Sequence, residues 1–206
     1  MQLTAEDISG ALSLAPLGER SDFDLNPEPA KTATAPRPAA VLCGLVPRST
    51  GLRVVLTRRA SHLRHHAGQI SFPGGKLEAA DATPLDAALR EAEEEIGLAS
   101  AMVRVLGRLD PYLTGTGFRV HPFVGVVDPT WQPACDPSEV DEVFEAPLDH
   151  LMDPANCIRS HYERDGRRRY FYAIPWQERY IWGATAGMLK ALSDRIRALR
   201  AAGDAA

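Results

Sequence analysis

The stretch from Pro73 to Leu98, PGGKLEAADATPLDAALREAEEEIGL, constrains the fold of this chain more than any other. Leu85, Ala88, Leu89, Ala92 and Ile96 recur at helical spacing and make a stripe that has to be buried. Thr83 stands at the N-cap, Pro84 at the first helical position, Asp86 at the third, and Gly97 where a helix is terminated. The spacing predicts a short helix over 84–96 laid on an apolar surface. Glu91, Glu94 and Glu95 crowd one flank of that stripe, while Glu93 falls on the other flank and reads as a solvated charge. Three carboxylates so close repel one another, and the C-terminal end of a helix favours cations over anions. They suit a hard divalent cation, which takes carboxylate oxygens. Gly74 and Gly75, just upstream, allow the backbone to approach a ligand closely. Arg90, four residues before Glu94, has the spacing of a helical ion pair that would orient Glu94 and partly balance the cluster.

Around this helix the chain reads as a mixed sheet with a few helices, α/β or α+β in class. Residues 3–15 have the pattern of a short amphipathic helix, with Thr4 as N-cap and Asp7 three residues on. Residues 24–38 are rich in Pro, Ala and Thr and read as an extended linker. The expected division is therefore an N-terminal helix and linker arm over 1–37 and one domain over 38–206. AAVLCGLV and LRVVLTRR read as two strands joined by PRSTG, followed by a long loop from Ala60 to Gly75. A loop of that length in a compact domain is usually functional. MVRVLGRL and FRVHPFVGVV read as strands separated by a TGTG turn, and residues 128–141 as a second long loop. EVFEAPLDHLM reads as a short strand and a helical turn, and IRSHYERDGRRRYFYAI as a hairpin turning at Asp165-Gly166. A helix from about Trp182 to Ala201 closes the chain.

The formal net charge of −4 over 206 residues argues against a general nucleic-acid or membrane-surface binder. No apolar run approaches the length of a membrane span, and the start of the sequence lacks a secretory pattern. The three cysteines, Cys43, Cys135 and Cys157, are odd in number and form no CxxC pair, which fits a reducing compartment. A cytoplasmic protein acting on a small molecule is the expectation, and a homodimer is compatible with it.

Gly75, Arg90-Glu91-Ala92, Glu94-Glu95 and Gly97-Leu98 resemble the Nudix box, in which a glycine loop precedes a helix carrying R-E-apolar-x-E-E-x-G-apolar. The gap from Gly75 to Arg90 is one residue longer than in the usual box. That shift leaves Glu78 or Asp81 as the acidic residue in its middle. Upstream, Leu56-Thr57-Arg58-Arg59-Ala60, Arg64, Gly68 and Phe72-Pro73-Gly74-Gly75 are similar to the signature of the coenzyme A diphosphatase branch, and WGATA near Trp182 more weakly so. The resemblance implies a Nudix α/β/α sandwich with a mixed β-sheet between helices. It also implies Mg²⁺- or Mn²⁺-dependent hydrolysis of a diphosphate bridge. For the coenzyme A branch, the products are 3′,5′-ADP and 4′-phosphopantetheine. Other members cut ADP-ribose or dinucleotides, and a third alternative is a nucleotide sensor without catalysis.

On this resemblance, Glu91, Glu94, Glu95 and the Gly75 carbonyl hold the metal. Glu94 and Glu95 share in water activation, with Arg90 beside them. Glu139 and Glu142 are candidates for a general base from the loop after the sheet. Arg59, Arg64 and the Gly74 backbone are the expected substrate contacts, arginine forks being suited to phosphate oxygens. Strand alternation sends Arg58 and Arg59 to opposite faces, so only one of them points at the site. His62, His65 and His66 fit no standard zinc spacing and read as loop histidines. Arg167 to Arg169 read as a solvated hairpin tip, with contact to the 3′-phosphate of coenzyme A as the alternative. Tyr112 and Phe118, flanking TGTG, are candidates for stacking on a base, with core packing the alternative.

Overall fold

The apolar run that begins near Ala39 is buried on both faces, and the rest of the molecule is arranged around it. The computed structural model describes residues 2–26, 35–63, 66–164 and 166–203. The chain begins with α1 (Ala5–Ser13), β1 (Arg20–Ser21), β2 (Arg37–Arg48), β3 (Gly51–Arg59), β4 (Ile70–Ser71) and β5 (Gly74–Lys76). Next come α2 (Pro84–Ile96), β6 (Val103–Arg108), β7 (Tyr112–Leu113), β8 (Phe118–Val127), β9 (Val140–Pro147) and α3 (Leu148–Met152). The hairpin strands β10 (Ile158–Arg164) and β11 (Arg167–Trp176), then β12 (Arg179–Trp182) and α4 (Ala184–Gly203), complete it.

Among the described residues nine strands form one mixed sheet, with β1-β7-β8-β2-β3-β4 side by side, β5 on β2, β6 on β8 and β9 on β3. β2 lies parallel to β8 and antiparallel to β3. Its side chains alternate between two cores, as the period of a strand requires. Ala40, Leu42 and Val46, with Val55 of β3, face Ala87, Ala88, Ala92 and Ile96 of α2. Cys43 and Leu45, with Val54 and Leu56, face the other side, where α1, α3, α4 and the small sheet β10-β11-β12 lie. The result is an α/β/α arrangement with a mixed sheet, as expected. The alanines of α2 let the helix sit close to the sheet, and Ile96, wholly buried, contributes about 2 kcal/mol.

The N-terminal arm is built into the second core. Thr4 and Asp7 make a reciprocal capping box, and Ile8 and Ala11 are buried. Arg195 of α4, only 4% exposed, donates to the carbonyls of Ala11 (3.2 Å) and Leu14 (3.1 Å) and to Asp110 (3.0 Å). Asn26 clasps the Tyr170 backbone through both its amide groups. Most of the expected linker, residues 27–34, lies outside the described residues, and its last two positions, Arg37 and Pro38, already belong to β2.

Three elements carry no sequence signal because they are too short for periodicity: the two-residue strands β1 and β7, which pair parallel, and β12. β4 and β5 divide the expected 60–75 loop, leaving 60–63 and 66–69 irregular among the described residues. The hairpin β10–β11 turns where expected, with Arg164 opposite Arg167, although Asp165 itself lies outside the described residues. No helix among the described residues is long and apolar enough to cross a membrane.

Candidate active site

The site is assembled where α2 crosses β5. Thr83 and Asp86 form the capping box at the start of α2, with Pro84 at its first turn. Gly97 ends it in the left-handed region (φ 66°) with the single bond of an αL cap, its N–H donating to Glu93, and the N–H of Leu98 donates to Ala92. The two carbonyls beyond are taken by another segment. The N–H of Ala134 donates to Ile96 (3.0 Å) and that of Asp136 to Glu95 (3.0 Å). The 134–139 loop is thereby bolted to the end of the helix. Its far end is held as well, Ala60 donating to the carbonyl of Glu139 at 2.8 Å.

The helix lays two carboxylates over the glycine loop. Gly75 lies so close beneath Glu91 that a Cβ there would stand 2.3–2.6 Å from the carboxylate atoms. Gly74 donates its N–H to Glu95 at 3.3 Å, and Arg59 of β3 approaches the same carboxylate at 3.8 Å. Glu95 is 3% exposed. Burial pushes its pKa up to about 8, helped by the charges of Glu91 and Glu139 and opposed by Gly74 and Arg59. Glu91 is raised for the same first reason, burial, with Arg90 opposing and Glu94 and Glu139 adding to the rise. Each of these carboxylates is thus harder to ionise than a free glutamate, despite a neighbouring arginine.

Arg90 organises the outer side. It forks onto Asp81 (3.0 and 3.1 Å), reaches the Lys76 carbonyl (3.2 Å), and pairs with Glu91 (3.2 Å) and Glu94 (3.0 Å). Asp81, not Glu78, is therefore the acidic residue that meets the box arginine. Its carboxyl is held below the usual range by Arg90 first and by the Glu78 N–H next. The signal was its place in the longer gap before Arg90.

The expected residues do not all converge. Glu94 is 60% exposed and turned to Arg90. Among the described residues no group of three acidic, histidine or cysteine side chains stands preformed around one point. Like-charge repulsion accounts for that: Glu91 and Glu95 sit inward and Glu94 follows the nearest cation. Glu139 is close enough to act electrostatically on both Glu91 and Glu95. Glu142 is held by Arg58 and Arg179. Arg58 and Arg59 do take opposite faces, with Arg59 at the site. Arg64 and His65 lie outside the described residues, and His66 contacts Gln69. Tyr112 is buried with its hydroxyl on Asp22 (2.9 Å), so it belongs to the core, and Phe118 is covered by the Arg37 guanidinium. The role of 134–139 as a helix cap had no sequence signal, since it rests on backbone amides.

The chemistry of the donor set fits a divalent cation: two hard carboxylates, one of them buried, beside a glycine backbone. The chain is similar to several known proteins. A family model described as the NUDIX domain matches residues 36–170. Over 188 residues the chain is 35% identical to a Photorhabdus laumondii protein named uncharacterized Nudix hydrolase NudL, covering 90% of this chain and 99% of that one. An Escherichia coli K12 protein of the same name is 41% identical over 166 residues, covering 78% and 83%. Among solved structures, a MutT/nudix family protein from Enterococcus faecalis superposes with a TM-score of 0.53 at 13% identity, over 96% of this chain and 76% of that one. A Nudix hydrolase from Alicyclobacillus acidocaldarius gives 0.51 at 18%, over 79% and 93%. At these identities the two structures share the fold.

Proposed function

The chain belongs to the NUDIX family of hydrolases, which cleave pyrophosphate bonds in nucleoside diphosphate derivatives, and from that premise we propose that it hydrolyses the diphosphate bridge of coenzyme A or its derivatives to 3′,5′-ADP and 4′-phosphopantetheine, using Mg²⁺ or Mn²⁺. The observation that carries this reading is the meeting of Arg59 with Glu95. The upstream arginine that resembles the coenzyme A branch and the glutamates of the box form one site.

In this mechanism Glu91, Glu94 and Glu95, with the Gly75 carbonyl, are the groups that would hold the cation. A bound divalent ion supplies charge neutralisation at the diphosphate and a more acidic water. Arg90, fixed by Asp81, sets the positions of Glu91 and Glu94 and stays protonated throughout. Arg59 is free to turn from Glu95 to a phosphate oxygen, and Arg64 is the second phosphate contact. The Gly74 N–H steadies Glu95. Glu139 is the general base, since Glu142 is occupied by two arginines. The chain acts in the cytoplasm on a small nucleotide.

The test is product analysis after incubation with coenzyme A, ADP-ribose and NADH in parallel, each with Mg²⁺ and with Mn²⁺. Release of 3′,5′-ADP well ahead of cleavage of the others is expected. Preferential cleavage of ADP-ribose or NADH would transfer the site to another substrate, and no cleavage of any would favour a sensor.

A further inference from the structure

We propose that a second copy of this chain pairs with the outer edge of β10, antiparallel and across a twofold axis at His161. β10 ends the small sheet and pairs only with β11 among the described residues. Its register with β11 runs unbroken from Ile158 opposite Ala173 to Arg164 opposite Arg167, with no bulge and no proline to spoil the outer edge. An edge this long and regular is a template for another strand.

The charges on β10 select the occupant. With His161 opposite His161 of the second copy, Arg159 falls opposite Glu163 of the second copy, and the reverse pair follows by symmetry. Opposite charges directly across a sheet are favourable, and a twofold axis makes each such pair count twice. Within one chain the two cannot meet, because four residues of strand hold them about 13 Å apart. Arg159 rests on the Tyr170 ring at 4.0 Å and has no acidic partner among the described residues. Among the described residues Glu163 has a loose exposed contact with Arg168 at 3.7 Å. On the other face, the same register places Tyr162, 44% exposed, opposite the small Ser160 of the second copy. Tyr162 and Phe171 already touch, so pairing would extend a partly exposed aromatic row from one copy into the next. Register, charge and side-chain size agree on the same centre.

The experiment is sedimentation equilibrium on the full chain, with circular dichroism to confirm folding. Wild type is expected to form a dimer. R159E and E163R each place like charges opposite one another twice, so each is expected to weaken the dimer by about tenfold or more. The double variant R159E/E163R restores the pairing with its signs exchanged and is expected to return the dimer to near wild-type affinity. Should either reversal fail to fold, R159Q and E163Q replace them, each expected to weaken the dimer by a smaller factor. A monomeric wild type, a dimer indifferent to the single changes, or a double variant no better than the singles would overturn the proposal. None of these residues touches the candidate active site, so the outcome is independent of the substrate.

Discussion

Replacing Glu95 by glutamine should make the metal-free protein more stable, and increasingly so as pH rises. Unfolded, this carboxyl titrates near its ordinary 4.5; folded, burial raises it to about 8. Below 4.5 the proton is bound in both states, and Glu95 costs folding nothing. Between the two values the native state holds the extra proton, so stability falls as pH rises, by about 1.4 kcal/mol per pH unit. Above 8 both states are ionised and the penalty is complete, at roughly 5 kcal/mol. A glutamine at this position keeps the shape and an acceptor for the Gly74 N–H but cannot ionise. In urea unfolding with EDTA, the advantage of E95Q over wild type should therefore widen by roughly 3 kcal/mol between about pH 5.5 and 8.5. Adding Mn²⁺ at about pH 8.5 should raise the wild type, where the cation meets an ionised buried carboxylate, and leave E95Q nearly unmoved. Parallel stability curves across pH, or an advantage that shrinks as pH rises, would refute the argument.

Other consequences are as direct. Gly75→Ala forces a Cβ into the Glu91 carboxylate, so metal-dependent turnover should fall by about a hundredfold while the melting temperature changes little, read from kcat against added Mn²⁺. Asp81→Asn loosens the fork on Arg90 and should lower kcat about tenfold, with weaker Mn²⁺ activation as the accompanying readout. Glu139→Gln should lower kcat by about a hundredfold with folding intact, whereas Glu142→Gln should spare kcat and lower stability, because it strands Arg58 and Arg179; steady-state rates and thermal melts separate the two. Arg195→Met removes the hub joining α1 to α4 and leaves Asp110 without its buried partner, so urea unfolding should show a loss of about 3 kcal/mol.

The parts legible in the sequence were those with a repeating pattern or a long spaced motif. The α2 stripe, its caps at Thr83 and Gly97, and the principal strands all declare themselves through periodicity. The opposition of Arg58 and Arg59 follows from strand alternation alone. The position of Glu94 was hidden, because helical spacing puts it beside Glu91 and Glu95 while the side chain is free to choose Arg90. Glu139 and Glu142 looked equivalent in sequence. They differ because β9 pairs with β3 in a register that sets Glu142 opposite Arg58. Tyr112 could pass for a base-stacking aromatic until Asp22, ninety residues away, was found at its hydroxyl. Contacts of that separation leave no local trace.

The bolts that join residues 134 and 136 to the end of α2, and Ala60 to Glu139, have a consequence for how this chain can change over time. Insertions of a residue or two beside the exposed Gln132 and Pro133 alter the path of a connection and little else. The same insertion between 134 and 139 would detach the helix terminus or carry Glu139 out of reach, whatever residue was added. Length, rather than composition, is the property that drift cannot touch in those six positions.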